Sequence, residues 1–286
     1  MILLASKAYR ETEVEIQCGA RTNPGRVREN NEDSFALAPE INLFVLSDGM
    51  GGYASGEVAS RLATETIIAH CRGAENDPAL PLSGGTTEGD SRISTRLARA
   101  IHVANSAIRR AAKQDPAQQG MGATVVAVRF ADDRMTVAHV GDSRAYRLRG
   151  GELDQLTQDH SFVAEQVRRG IITEQEAARS NMQSVLLRAL GSDDAVQADV
   201  TEALFLEGDT ILLCTDGLSR ELSDAQIAGI LRETEEPQEA ADRLVDLANQ
   251  AGGEDNITAI VLRRAAKPGG AFARIGKWFK HPENPS

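Results

Sequence analysis

Five aspartates stand where apolar, strand-like runs begin or end. Asp48 follows FVLS, Asp142 follows TVAHVG and Asp216 follows LLCT. Asp255 directly precedes NITAIVL, and Asp33 precedes SFAL. A rigid sheet holds the side chains at strand ends in fixed places, so carboxylates there can converge. Oxygen donors without His or Cys among them suit hard divalent cations, Mg²⁺ or Mn²⁺ rather than Zn²⁺. A carboxylate bridging two such ions leaves a water acidic enough to attack phosphorus, with no protein nucleophile needed. Any one of these aspartates could equally be an Asp-Gly turn residue. The five together, two of them in Asp-Gly pairs after apolar runs, favour a cation site.

Other residues fit less well with rival chemistries. Arg28, five residues before Asp33, could be a solvated surface arginine or a bidentate phosphate clamp beside the metals. DGMGGYA matches the glycine fingerprint of dinucleotide sites, but no second strand ends in an acidic residue at the expected distance. No GK[ST] follows a glycine loop. No histidine pairs with a Ser or Cys as a nucleophile would require, and His139 reads as a partly buried strand residue. Cys18, Cys71 and Cys214 are widely spaced and odd in number, so they read as free thiols in a reducing compartment.

The elements that must position these residues follow from periodicity. Strands are expected over 14–20, 41–47, 210–215 and 256–263. Two hairpins are expected, 122–130 with 134–140 and 143–149 with 152–156, the latter turning at Gly150-Gly151. Ser55 opens a helix to about Arg72, and apolar residues three and four apart predict a second helix over 92–113. Between them, 73–92 reads as a surface loop. Ser223-x-x-Gln226 is a capping box for a helix to about Glu233. Pro237 begins a last helix that Gly252 stops. Strands in hairpins and helices in pairs favour antiparallel sheets with covering helices over a doubly wound parallel sheet, an α+β class. The chain's 286 residues allow a substantial core. Its net charge of −11 argues against nucleic acid as a partner and suits a protein that holds cations.

At this point a resemblance emerges. RTNPGRVRENNEDSF (21–35), LSDGMGGYASGEVAS (46–60), GATVVAV (122–128), AHVGDSRAYRLRGGELDQLTQDHS (138–161), LLRALG (186–191), LLCTDGLS (212–219) and GGEDNITAIV (252–261) occur in the order found in the phosphatase 2C-like, metal-dependent Ser/Thr protein phosphatases. The chain resembles the bacterial single-domain form over residues 14–264. The resemblance implies a four-layer α-β-β-α sandwich of two antiparallel sheets flanked by helix pairs, with a flap at about 158–191. It implies hydrolysis of phosphoserine and phosphothreonine on proteins by a water between two Mn²⁺ or Mg²⁺ ions, reversing a Ser/Thr kinase. Asp48 would bridge both ions, the Gly49 carbonyl would bind one, and Asp216 and Asp255 would hold the other. Asp33 would touch metal directly or through water, beside Glu32. Asp142 would hold a third, weaker ion, Arg28 would bind substrate phosphate, and Asn256 would support the ligands.

The chain departs from this family in carrying Met50 and Tyr53 where relatives carry His, so no histidine can protonate the leaving group there. A water on the metals is the natural substitute. Ser180-Asn181 stands where His-Pro is common before LLRALG. The alternative function is a non-catalytic phosphoprotein-binding relative. A cytoplasmic monomer is expected, with phosphoproteins and a cognate kinase as partners, and neither nucleic acid nor a membrane span. Residues 1–13 read as a leader. Residues 265–286 read as a basic amphipathic tail, with Phe272, Ile275, Trp278 and Phe279 near one face and Arg274, Lys277 and Lys280 beside it. Such a tail could weakly touch a membrane or a partner.

Overall fold

Successive side chains of a strand point to opposite faces, so a strand covered on both faces reads as a continuous apolar run. That is the case for the central strands in a computed structural model of the chain, which describes residues 15–51, 55–76 and 91–264. One sheet orders β1 (Ile16–Asn23), β11 (Ile257–Arg264), β10 (Thr210–Cys214), β7 (Arg144–Arg149) and β8 (Glu152–Gln155) side by side. The other orders β2 (Asp33–Ala38), β3 (Leu43–Met50), β5 (Val125–Ala131), β6 (Arg134–Val140) and β9 (Asp199–Leu204), with the short β4 (Gly122–Ala123) on the end of β3. Every described pairing is antiparallel. β3, which leads into DGMGGYA, therefore does not belong to a parallel dinucleotide-binding unit.

Helices cover both outer faces. The long α1 (Ser55–Asn76) and α2 (Arg92–Gln114) pack together and lie on the β2–β3–β5–β6–β9 sheet. On the other sheet lie α5 (Asp216–Ser219), α6 (Asp224–Glu233) and α7 (Pro237–Ala251). The short α3 (Phe162–Arg168) and α4 (Glu174–Ala177) belong to the flap. Three apolar layers fill the gaps between the four. Leu43, Val45, Val125 and Ala127 face α1 and α2. Phe44, Leu46, Val126, Val128, Ile211, Leu213, Ile260 and Leu262 face between the sheets. Leu212, Cys214, Ala259 and Val261 face α5 to α7. Truncating one of the large inter-sheet side chains to Ala would cost about 2–5 kcal/mol.

The expected sandwich and its elements are present, with local differences. The first helix runs on to Asn76. The capping box at Ser223 and Gln226 forms, its Gln226 Oε1 accepting from the Ser223 N–H at 3.0 Å. At the end of α7 the left-handed residue is Gly253, with φ 62°, rather than Gly252, whose φ of 178° is extended. β9 had no forecast; it is an edge strand with few buried side chains, so it lacks the apolar run that marks the others. Cys18, Cys71 and Cys214 form no disulfide. The leader, the tail, Tyr53 and residues 77–90 of the loop lie outside the described residues. No helix among the described residues is long and apolar enough to cross a membrane.

Candidate active site

Side-chain alternation aims the first two aspartates. Phe44 and Leu46 of β3 point between the sheets, so Asp48, two residues on, points the same way at the sandwich's end. Phe35 and Leu37 of β2 pack into the same layer, and Asp33 continues their face. The register of the two strands sets Asp33 directly opposite Asp48. The chain crosses from one sheet to the other between β6 and β7, and Asp142 lies at that crossing. Asp216 stands two residues after β10, and Asp255 stands two before β11. All five therefore reach one end of the sandwich.

Four of them, Asp48, Asp142, Asp216 and Asp255, line a polar cleft of about 420 Å³ together with Arg28, Glu32, Gly49 and Asn256. Asp33 does not line it. Its carboxylate is buried behind Asp48, where Oδ2 accepts from Thr258 Oγ1 at 2.6 Å and Thr215 Oγ1 at 3.0 Å. Asp33 Oδ1 and Asp216 Oδ1 are buried with no hydrogen-bond partner. Burial raises the Asp33 carboxyl to about 7, with the Asp216 and Asp255 charges adding to it against the two threonine hydroxyls. Burial, then Asp216, likewise raises Asp142 to about 7. Asp48 is pushed well above the carboxylate range by burial and then by the Asp33, Asp216, Asp142 and Asp255 charges. Asp216 is raised by burial, with the Asp255 charge adding to it, even though the Arg220 charge opposes this. Crowded, desolvated carboxylates with unpaired oxygens are the donor set that hard divalent ions require.

The surrounding backbone is tightly held. Asp48 N–H donates to Thr124 Oγ1 at 3.0 Å, and Thr124 N–H donates back to the Asp48 carbonyl at 2.8 Å. Gly49 packs so closely on the start of α1 that a Cβ there would sit 2.1 Å from the Gly56 carbonyl oxygen. Asn256 secures the loop that carries Arg28 and Glu32. Its Oδ1 accepts from Glu32 N–H at 2.7 Å, and its Nδ2 donates to the Asn30 and Pro24 carbonyls at 2.8 and 3.0 Å. Burial raises Glu32 despite the opposing Arg28 charge. Arg28 reaches over the cleft, its side chain 57% exposed, and pairs with Asp255 at 2.9 Å. Met50 lines the cleft and offers no proton.

Several participants had no sequence signal. Arg220, at the end of α5, pairs with Asp216 and reaches Asp142 Oδ2 and the flap carbonyl of Gln183, each at 3.5 Å. Past these residues opens a second cleft of about 600 Å³, walled by Arg144, Val163, Val167 and Glu174. Ser184 and Leu186 bring the flap to the rim of the first cleft. Behind Asp142, His139, His160 and Asp199 gather imidazole and carboxylate donor atoms within 4.8 Å of one another.

Comparison with known proteins agrees with this geometry. The protein phosphatase 2C family model matches residues 25–252. The Ser/Thr protein phosphatase PstP of Mycobacterium tuberculosis is 40% identical over 246 residues, 86% of this chain. This chain spans only 44% of that relative's length. The Ser/Thr phosphatase stp of Listeria innocua is 36% identical over 247 residues, covering 85% of this chain and 94% of the relative. The solved catalytic domain of PstP in complex with two manganese ions superposes with a TM-score of 0.74 at 39% identity, covering 88% of this chain and 99% of that one. A two-sheet sandwich with a carboxylate-lined cleft at one end defines a class of metal-dependent phosphatases. The chain belongs to the protein phosphatase 2C family, in its bacterial Ser/Thr protein phosphatase form.

Proposed function

We propose that the cleft hydrolyses phosphoserine and phosphothreonine on proteins with two divalent ions, Mn²⁺ or Mg²⁺, held there. The observation that carries this reading is the convergence of Asp48, Asp142, Asp216 and Asp255 on one cleft, with buried carboxylate oxygens left unpaired. In the proposal Asp48 and the Gly49 carbonyl, Asp216 and Asp255 hold the pair, with Asp33 behind Asp48 and Glu32 beside it. Asp142 holds a third, weaker ion. Such ions supply Lewis acidity for the phosphoryl group and lower the pKa of water. The chain's own part is orientation. Asn256 fixes the loop of Arg28 and Glu32, Thr124 fixes the Asp48 backbone, and Arg28 presents its guanidinium to the phosphate. The second cleft supports a protein substrate, since it offers room beside the reacting centre for the segment flanking the phosphoresidue.

Residues 14–264 form the catalytic unit in this reading, with 158–191 as its flap. One chain supplies the whole cleft, so a monomer suffices, and a Ser/Thr kinase is the partner that makes the substrate. A cytoplasmic setting is proposed on the three cysteines that form no disulfide.

Hydrolysis of p-nitrophenyl phosphate and of a phosphothreonine peptide tests the reading. Activity is expected with Mn²⁺ and is expected to vanish with chelator and in Asp216→Asn. No activity with metal would make the chain a phosphoprotein-binding relative, and full activity in that variant would remove Asp216 from the metal site. Arg28→Ala is expected to raise KM for the peptide about tenfold or more, with kcat changed less, because a charge-assisted contact to phosphate is worth about 1.5–3 kcal/mol. An unchanged KM counts against the clamp.

A further inference from the structure

The histidines behind Asp142 are held in one protonation pattern. Gly141 N–H donates to His160 Nδ1 at 3.1 Å, so the proton of this ring lies on Nε2, which faces Asp199 Oδ2 at 3.2 Å. His139 Nε2 donates to the Gln158 carbonyl at 2.8 Å. The two rings are buried and stack at 4.6 Å with 17° between their planes. Burial, with His139 and Arg188 nearby, holds His160 down at about 4, so the ring is neutral. A neutral ring whose Nδ1 already accepts a hydrogen bond has no lone pair left for a cation. The group has the residue types of a metal site, but its hydrogen bonds commit it to another task.

That task is visible in what His160 holds. Its backbone N–H donates to the Gly141 carbonyl at 2.9 Å, and its own carbonyl accepts from Leu187 N–H at 2.7 Å at the base of the flap. Both peptide groups of Gly141 are thus tied to one residue. Gly141 has a φ of 105°, a conformation other residues rarely adopt, and a Cβ there would sit 2.6 Å from the Thr124 methyl. The ring of His160 thus holds the Val140–Gly141 peptide and its backbone N–H holds the Gly141–Asp142 peptide, so the side chain fixes the start of the turn that delivers Asp142. Asp199 lies beside the ring Nε2 and is itself held by Arg188.

We propose that His160 is a positioning residue for the cleft: by capturing the Gly141 N–H through Nδ1, it sets the direction in which Asp142 presents its carboxylate. The inference rests on reading Asp142 as the ligand of the weaker third ion. It assigns the His-His-Asp group to support of that ligand rather than to an ion of its own.

Mn²⁺ binding to the full chain, followed by calorimetry and by the electron-spin signal of free Mn²⁺, tests this without reference to turnover. Asp142→Asn is expected to abolish the weakest class of Mn²⁺ binding. His160→Ala is expected to weaken that class alone about tenfold, within the range for residues that orient metal ligands. His160→Asn places an acceptor where Nδ1 was and is expected to recover affinity to within about threefold. His160→Gln reaches towards Asp199 but not towards Gly141, and is expected to behave like His160→Ala. A merely structural role would not separate Asn from Gln. This contrast also serves if the alanine variant does not fold. Unaltered weak binding in His160→Ala and His160→Gln, while Asp142→Asn loses it, overturns the proposal. Loss in the His160 variants of an ion that Asp142→Asn retains also overturns it, making His160 a ligand. Unaltered binding in Asp142→Asn would instead defeat the reading of Asp142 beneath it.

Discussion

Asp48→Asn is expected to lower kcat with Mn²⁺ at least about a thousandfold, which is about 4 kcal/mol of lost transition-state stabilisation. In the same protein the melting temperature measured in chelator is expected to rise. The two effects have one cause. Asp48 faces Asp33 across the β2–β3 ladder and shares its cleft with Asp142, Asp216 and Asp255. Its carboxyl is pushed well above the ordinary range by burial first and by those four charges next. Without a cation the folded chain must protonate this group or tolerate the repulsion. Asparagine removes the charge and keeps an N–H donor that can face the neighbouring carboxylates. The amide, however, is a far weaker ligand for a hard divalent ion. Differential scanning calorimetry in chelator and a steady-state assay with Mn²⁺ check both halves. A variant that loses activity and also melts lower would show that Asp48 is needed for packing, and the charge-conflict account would fail.

Much of this site was legible because it depends on local pattern. Asp48 and Asp216 follow apolar runs, and the alternation within FVLS already fixes which face Asp48 shares with Phe44 and Leu46. The capping box at Ser223 and the start of α7 at Pro237 are likewise written in a few adjacent residues. What the sequence does not display is depth. Asp33 and Asp48 are alike in type and context, yet Asp33 lies behind the cleft because Thr215 and Thr258, distant in sequence, close over it. Asn256 was expected among the ligands' supports, and its contacts show it pinning the 24–32 loop. Arg220 is an ordinary arginine at a helix end until the fold turns it towards Asp216 and Asp142. The bond from Gly141 to His160 joins the β6–β7 crossing to the flap, and no spacing rule links those two segments. Cooperation between elements far apart in the chain is thus the part that needed coordinates.

The stabilisation that Mn²⁺ gives is expected to grow with pH. Asp33 and Asp142 sit at about 7 in the fold, against about 3.9 for a free aspartate. A raised carboxyl pKa means that the metal-free fold binds more protons than the unfolded chain between about pH 4 and 7. Their contribution is then fully present below about pH 4 and is lost as pH rises through about 7. Other groups move the opposite way: His160, held at about 4, favours the fold as pH rises, and so do Asp199 and Glu202, whose carboxyls their partners lower. The net slope in chelator mixes these contributions, so the informative quantity is the melting temperature with Mn²⁺ minus that without. Groups away from the ions cancel in that difference. At pH 5 protons compete with Mn²⁺ for the carboxylates, whereas at pH 8 Asp33 and Asp142 are past their titration and each ion relieves repulsion as it binds. Saturation of a site to a thousand times its Kd is worth about 4 kcal/mol, or about 10 °C in a chain of this size. The increment is therefore expected to be about 10 °C at pH 8 and to fall to a small part of that at pH 5. In Asp142→Asn it should lose part of its pH dependence, since one of the two groups at about 7 is gone. An increment equal at both pH values would mean that the ions do not displace these protons, and the acidic cleft would need another explanation for its unpaired buried oxygens.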